Sequence, residues 1–144
     1  MNNRTTWKSV KDVKRSWYEI DATGMSLGRL AGKIAKYLMG KTSPEYVPNL
    51  DMGHFVIVTN AGLVKLTGKK ESYLTLQRYT GYPSGLKKTK VSELMKNRPE
   101  KVIHSAVKGM LPDTRLKDSY LSRLHIYTEA THPHEAQKPT KITV

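Results

Sequence analysis

Trp17-Tyr18-Glu19-Ile20-Asp21-Ala22-Thr23-Gly24, followed by Ser26-Leu27-Gly28-Arg29-Leu30-Ala31, is the stretch on which the fold turns. Aromatic and β-branched residues ending in turn formers predict a strand over 17–21 and a turn at Ala22-Thr23-Gly24. Ser26 is placed to cap a helix. Leu27, Leu30, Ala31, Ile34, Ala35 and Leu38 then recur at helical spacing, so their side chains fall on one stripe. Gly40 closes that helix, and Lys36 and Lys41 lie where a cation complements the negative end of its dipole. A connection with Pro44 and Pro48 follows. His54-Phe55-Val56-Ile57-Val58-Thr59 is then apolar at consecutive rather than alternate positions, as in a strand covered on both faces. Strand, helix and doubly buried strand make a βαβ unit with a right-handed crossover. The fold class is α/β.

Outward from this unit the pattern is less regular. Leu63 to Thr67 is expected to form a short strand ending at Gly68, and 73–80 an extended or mixed segment. Gly81 to Gly85 reads as a loop leading into Lys87-Lys88. A helix over 91–98 turns Leu94 and Met95 inward, and Pro99 ends it and starts the next at a position that needs no N–H. Val102, Ile103, Ala106, Val107 and Met110 form the apolar face of that next helix, which Leu111-Pro112 breaks. A helix over 114–121 and a last strand over 124–128 follow, and the tail from 131 onward, with Pro133 and Pro139, is expected to be irregular. No repeat or long linker divides the chain, so 17–144 is read as one domain behind a basic extension, 1–16. That extension is poor in apolar residues and is expected to order only against RNA or a neighbour.

Charge narrows the function. Twenty-five Lys and Arg stand against twelve Asp and Glu, a formal net charge of +13 in 144 residues. Self-repulsion of that size opposes compaction, so a polyanionic partner is expected. The excess is internal: 62–90 holds seven cations (Lys65, Lys69, Lys70, Arg78, Lys87, Lys88, Lys90) and one acid, Glu71. Tyr73, Tyr79 and Tyr82 are interleaved with them. Lysine supplies point charge to phosphates, arginine forks onto phosphate or base edges, and tyrosine stacks on unpaired bases. The competing reading is a solvated loop whose tyrosines belong to the core. There is no cysteine, no run long enough to span a bilayer and no secretory leader, which together fit a reducing cytoplasm.

Other constellations are weaker. Gly24 to Arg29 joins a strand to a helix N-terminus, where free N–H groups can hold a phosphate, but its spacing matches neither common nucleotide-binding glycine motif. Arg29 in a first helical turn opposes the dipole and is best explained by an anion beside it. His132-Pro133-His134, with His125 and Glu135, falls short of a zinc ligand set, so no metal is expected. RNA contact or packing of the tail suits these histidines better. Asp21 and Asp51 stand at strand ends, yet no nucleophile elbow or paired-carboxylate motif accompanies them. They read as turn caps, and no enzyme activity or cofactor is expected.

Several segments together resemble one family. They are 17–24, Leu27 to Ala31, Val56-Ile57-Val58-Thr59-Asn60-Ala61, Leu66 to Lys70, Arg98-Pro99-Glu100 leading into Ala106-Val107-Lys108-Gly109-Met110-Leu111-Pro112, and His132 to Pro139. In order and content they are similar to the universal large-subunit ribosomal protein thirteen family in its bacterial form. The resemblance implies a three-layer α/β/α fold around a four-stranded, mainly parallel sheet. It also implies a structural role in the large ribosomal subunit, direct binding to 23S-type rRNA and early assembly. The implied partners are that rRNA and neighbouring large-subunit proteins, with no membrane and no homo-oligomer. The sequence departs from the family at His54, at 113–118 and at Thr128-Glu129-Ala130.

The expected RNA-contacting residues are Arg29, Lys69, Lys70, Arg78, Tyr79, Lys87, Lys88, Lys90, Lys108, Arg115, Lys117, Arg123, His132 and His134. Two rival readings are a nucleotide-binding α/β enzyme using the Gly24 to Arg29 turn, and an RNA-binding regulator that works off the ribosome.

Overall fold

β1 (Trp17–Asp21) lies inside a four-stranded sheet in the computed structural model, which describes residues 9–142. α1 (Leu27–Met39) follows, then β2 (Phe55–Thr59), which pairs in parallel with β1, Ile20 beside Val58. The βαβ unit expected from the sequence is therefore present, with His54 just outside the strand. Ser26 has the extended backbone of an N-cap but makes no side-chain cap bond. Main-chain bonds to Lys65 hold this turn instead. Gly40, at φ +80°, ends α1 in the left-handed conformation, and the N–H of Lys41 reaches back to the Lys36 carbonyl.

Beyond β2 come α2 (Lys70–Tyr73), β3 (Thr75–Tyr79), β4 (Leu86–Lys90), α3 (Val91–Asn97), α4 (Pro99–Met110), α5 (Lys117–Ser122), β5 (Leu124–Ile126) and β6 (Thr140–Ile142). The main sheet runs β5-β2-β1-β6, every neighbouring pair parallel. β3 and β4 form a separate antiparallel hairpin.

Register assigns the faces. Ile20, Val56, Val58, Leu124, Ile126 and Ile142 share one face and meet α1 and α4 through Leu30, Ile34, Leu38, Ile103 and Val107. Most of these side chains are fully buried, and each contributes about 1.5–3 kcal/mol through apolar area removed from water. The second face carries Trp17, Glu19, Phe55, Ile57 and His125. Trp17 stacks on Phe55 with ring centres 4.3 Å apart, and His134 of the tail lies 5.2 Å from Trp17 and 4.7 Å from His125. After β5 the tail thus crosses the second face beneath β2 and β1 and joins the opposite edge as β6.

Three local expectations are corrected. Leu63 to Thr67 is not a strand. Asn60 takes a left-handed conformation (φ +56°) that turns the chain out of the sheet into a 3-10 turn, Ala61–Leu63. Only Lys65 then bridges, to Ser26. The tail, expected to be irregular, supplies the fourth strand of the sheet, and the lysine run into which the loop at 81–85 leads is β4. Met110, expected inward, is 45% exposed. Of the extension, residues 1–8 lie outside the described residues. Within 9–16 there is one 3-10 turn, Val10–Asp12.

Two histidines tie this core to pH. The Ser16 N–H donates to His54 Nδ1 at 3.3 Å. Burial first, then the charges of Arg123 and Arg15, push the His54 pKa below its ordinary 6.5. Burial, and then His134, does the same for His125. Each folded-state pKa lies below the unfolded one, so the unfolded chain takes up more protons as the pH falls through 6.5. The stability these groups contribute is complete above that value and is lost below it. Urea unfolding is expected to give a lower free energy at pH 5.5 than at pH 7.5, and His125→Gln to shrink the difference. A flat profile across that window would contradict the assignment.

Candidate nucleic-acid interface

The α2–β3–β4 segment brings seven of the expected contact residues into one unit. Lys69 precedes α2 and Lys70 opens it. In the hairpin, Thr75 pairs with Lys90, Leu76 with Thr89, Gln77 with Lys88, Arg78 with Lys87 and Tyr79 with Leu86. Side chains alternate along a strand, so Arg78 and Lys87 share one face. Lys88, Lys90 and Tyr79 occupy the other, with Gln77 opposite Lys88. Arg78 and Lys87 are both exposed, and like charges directly opposed across a ribbon are destabilising by a few tenths to about 1 kcal/mol. An anion between them reverses the sign.

The tyrosines are not core. Tyr73, Tyr79 and Tyr82 are 65%, 65% and 75% exposed. Three flat rings left in water beside a cluster of cations suit stacking on unpaired bases. Leu86, exposed opposite Tyr79, extends this surface. Its only sequence sign was an apolar residue at the head of a lysine run.

The remaining expected residues separate into groups. Arg29 is exposed in the first turn of α1, which contains no acid. Lys108, in the last turn of α4, and Arg115, before α5, are exposed. Lys117 is half-buried and donates to Asp113, whose carboxyl is held below its usual range by that hydrogen bond, by the charge of Lys117 and, less, by Lys108. Asp113 thus neutralises part of this second basic group.

Arg123 does not present a cation to solvent, which corrects its place in the set. It is 6% exposed, and both terminal nitrogens donate to Asp51, Nη1 to Oδ2 at 2.6 Å and Nη2 to Oδ1 at 2.5 Å. Asp51 also accepts from the Gly53 N–H, as a turn cap should. His132 and His134 serve tail packing. His134 Nε2 lies 2.8 Å from the Tyr127 hydroxyl, and His132 Nε2 lies 3.7 Å from Glu19. Among the described residues no group of three or more His, Asp or Glu converges as a metal site requires.

The Gly24 to Arg29 turn already spends part of its main-chain donors within the fold. The N–H groups of Gly24, Met25 and Leu27 already donate to the carbonyls of Leu63, Ala22 and Lys65. Asp21 caps this turn, accepting from the Thr23 N–H at 2.9 Å. No helix among the described residues is long and apolar enough to cross a membrane.

Comparison with known proteins gives a consistent result. The family model described as "Ribosomal protein L13" matches residues 15–133. The large ribosomal subunit protein uL13 of Caldanaerobacter subterraneus subsp. tengcongensis is 53% identical over 133 residues, 92% of this chain and 93% of its own. Its counterpart in Thermosipho africanus is 48% identical over 139 residues, covering 96% and 93%. That of Listeria innocua serovar 6a is 45% identical over 137 residues, covering 94% of each.

Proposed function

This chain belongs to the ribosomal protein L13 family, and on that footing we propose that it is a non-enzymatic structural component of the large ribosomal subunit that binds 23S-type rRNA directly and joins the subunit early. The observation that carries direct RNA binding is the hairpin, where Arg78 opposes Lys87 and Tyr79 and Tyr82 stand in water. The arrangement is unfavourable for the isolated chain and favourable against a phosphate backbone. Lys69, Lys70, Lys88 and Lys90 extend the contact. Arg29, Lys108 and Arg115 reach further segments, and Lys117 contributes once Asp113 gives way. Neighbouring large-subunit proteins complete the surroundings.

The mechanism is scaffolding. Basic groups on separate elements neutralise phosphates where RNA segments converge and so hold the junction closed. With about six phosphates neutralised, the slope of log affinity against log salt is expected near −4 to −5. Binding of the purified protein to large-subunit rRNA fragments across a salt series, with bulk tRNA as competitor, tests this. Arg78→Gln with Lys87→Gln is expected to flatten the slope by about one to two. A slope near zero for every fragment would rule the mechanism out, and an unchanged slope in the double variant would remove the hairpin from it.

A further inference from the structure

A cleft of about 350 Å³ opens where α1 and α4 end and α5 passes. Lys41 lines it just after α1, Tyr46 and Pro48 from the loop that follows, Met110 and Pro112 where α4 ends, and Tyr120 from α5. Tyr120 is 3% exposed and Tyr46 packs against the core, so the walls are fixed from behind. Met110 is not held in the same way, with 45% of its surface in water. Most of the other large apolar side chains left exposed belong to the α2–β3–β4 segment, whereas Met110 stands apart at this cleft. A single exposed methionine is ordinary. One that borders a cleft together with two prolines and two tyrosines forms an apolar slot.

The charge around the slot is of one sign. Lys41 is exposed, and its Nζ lies 6.0 Å from the centre of the Tyr46 ring, the outer limit of a cation–π contact. Lys108 comes two residues before Met110 and Arg115 three residues after Pro112, and both are exposed. No acid among the described residues lines the cleft. The two that come near are already engaged. Asp113 accepts from Lys117 and also feels the charge of Lys108, and Asp51, whose charge reaches Tyr120, is forked by Arg123.

We propose that this cleft receives one unpaired base of the rRNA, with Lys41 on the phosphate of the same nucleotide. The inference rests on the reading of the chain as an rRNA-binding protein, and adds to it a second contact of a different kind from the hairpin. A base is flat and apolar on its faces, and it arrives attached to an anion. The slot offers the matching surfaces: the polarisable thioether of Met110, which makes favourable contacts with aromatic rings, the flat prolines, and cations outside. An apolar anchor from a neighbouring protein would fill the slot but would leave the one-signed surroundings unanswered.

The first test uses the isolated full-length chain with 13C-methyl-labelled methionine. Adenosine monophosphate is expected to give saturable shifts at the methyls of Met110 and Met39, which also lines the cleft, and not at Met25 or Met95. Ribose 5-phosphate, which lacks the base, and acetyl-Gly-Leu-Gly-amide, a model of a protein anchor, are expected to give none. Arg78→Gln with Lys87→Gln should leave this response intact, so it is independent of the hairpin. The second test is the salt series with rRNA fragments. Met110→Ala is expected to weaken binding about five-fold or more with the salt slope unchanged, since a stacking contact releases no counterion. Lys41→Gln is expected to lower the slope by about one. An equal response to ribose 5-phosphate, or no saturable shift with any probe, would overturn the inference. Preference for the leucine peptide would reassign the cleft to a protein partner. Saturation by adenosine monophosphate with rRNA affinity unchanged in Met110→Ala would reassign it to a free nucleotide. Failure of every fragment to bind would instead sink the rRNA reading itself.

Discussion

Gly53→Ala is expected to destabilise the protein by about 4 kcal/mol or more, enough to consume much of the stability of a typical domain. A Cβ at residue 53 would overlap the carbonyl oxygen of Leu38, lie 2.8 Å from its carbonyl carbon and 2.7 Å from Arg123 Nη2. The obstacle is backbone in the last turn of α1, not the end of a flexible side chain. That turn cannot withdraw easily, because the His54 N–H donates to the Tyr37 carbonyl at 3.2 Å and Leu38 is fully buried in the core. The added methyl would separate α1 from the approach to β2. Gly62→Ala is the control: nothing lies within 4 Å of its Cβ position, and its stability should change by less than about 1 kcal/mol. Urea unfolding of the two variants provides the comparison. Equal stabilities would mean that the close approach at Gly53 does not exist in solution.

Asp51→Ala is expected to cost about 3 kcal/mol. The guanidinium of Arg123 is nearly enclosed, and its Nε already lacks a partner. Without Asp51 the remaining charge would be stranded beside the aromatic ring of Tyr120, 5.6 Å away. The opposite deletion is milder. In Arg123→Met the Asp51 carboxylate retains the Gly53 N–H, a contact with Arg15 at 3.4 Å and some access to water, since its side chain is 18% exposed. About 1–2 kcal/mol is expected there, and the double variant should be more stable than Asp51→Ala alone, because it removes the stranded charge. A double-mutant cycle by urea unfolding measures the coupling. If Asp51→Ala costs less than Arg123→Met, the fork is an ordinary screened surface pair.

The same pair illustrates what a linear reading misses. In sequence Arg123 is one more cation of a basic chain, and Asp51 has the position of a turn cap. The capping is present, through the Gly53 N–H. The partner that buries Arg123 lies 72 residues away, and no local pattern connects the two. The hairpin shows the opposite balance. Its cations and tyrosines were visible as an interleaved run, but the opposition of Arg78 and Lys87 follows from a register that the turn sets. Leu86-Lys87-Lys88-Thr89-Lys90 has no alternating apolar face, so it is a strand through main-chain pairing with β3 rather than through burial.

By itself the sequence determined the βαβ unit, the amphipathic faces of α1 and most of α4, the basic character of 62–90 and the membership of the family. These are local or cumulative properties: a helix buries residues at its own period, a doubly covered strand is apolar throughout, and charge adds along a chain. Tertiary structure alone decided that Thr140–Ile142 pairs with β1, that the histidines of the tail cover the second face, and that Arg123 is internal. It also decided that Lys41, Tyr46 and Met110 share one cleft. Each of these relates residues far apart in sequence. A free strand edge or an open cleft exists only once the other elements have packed, so its chemistry cannot be read from its neighbours in the chain.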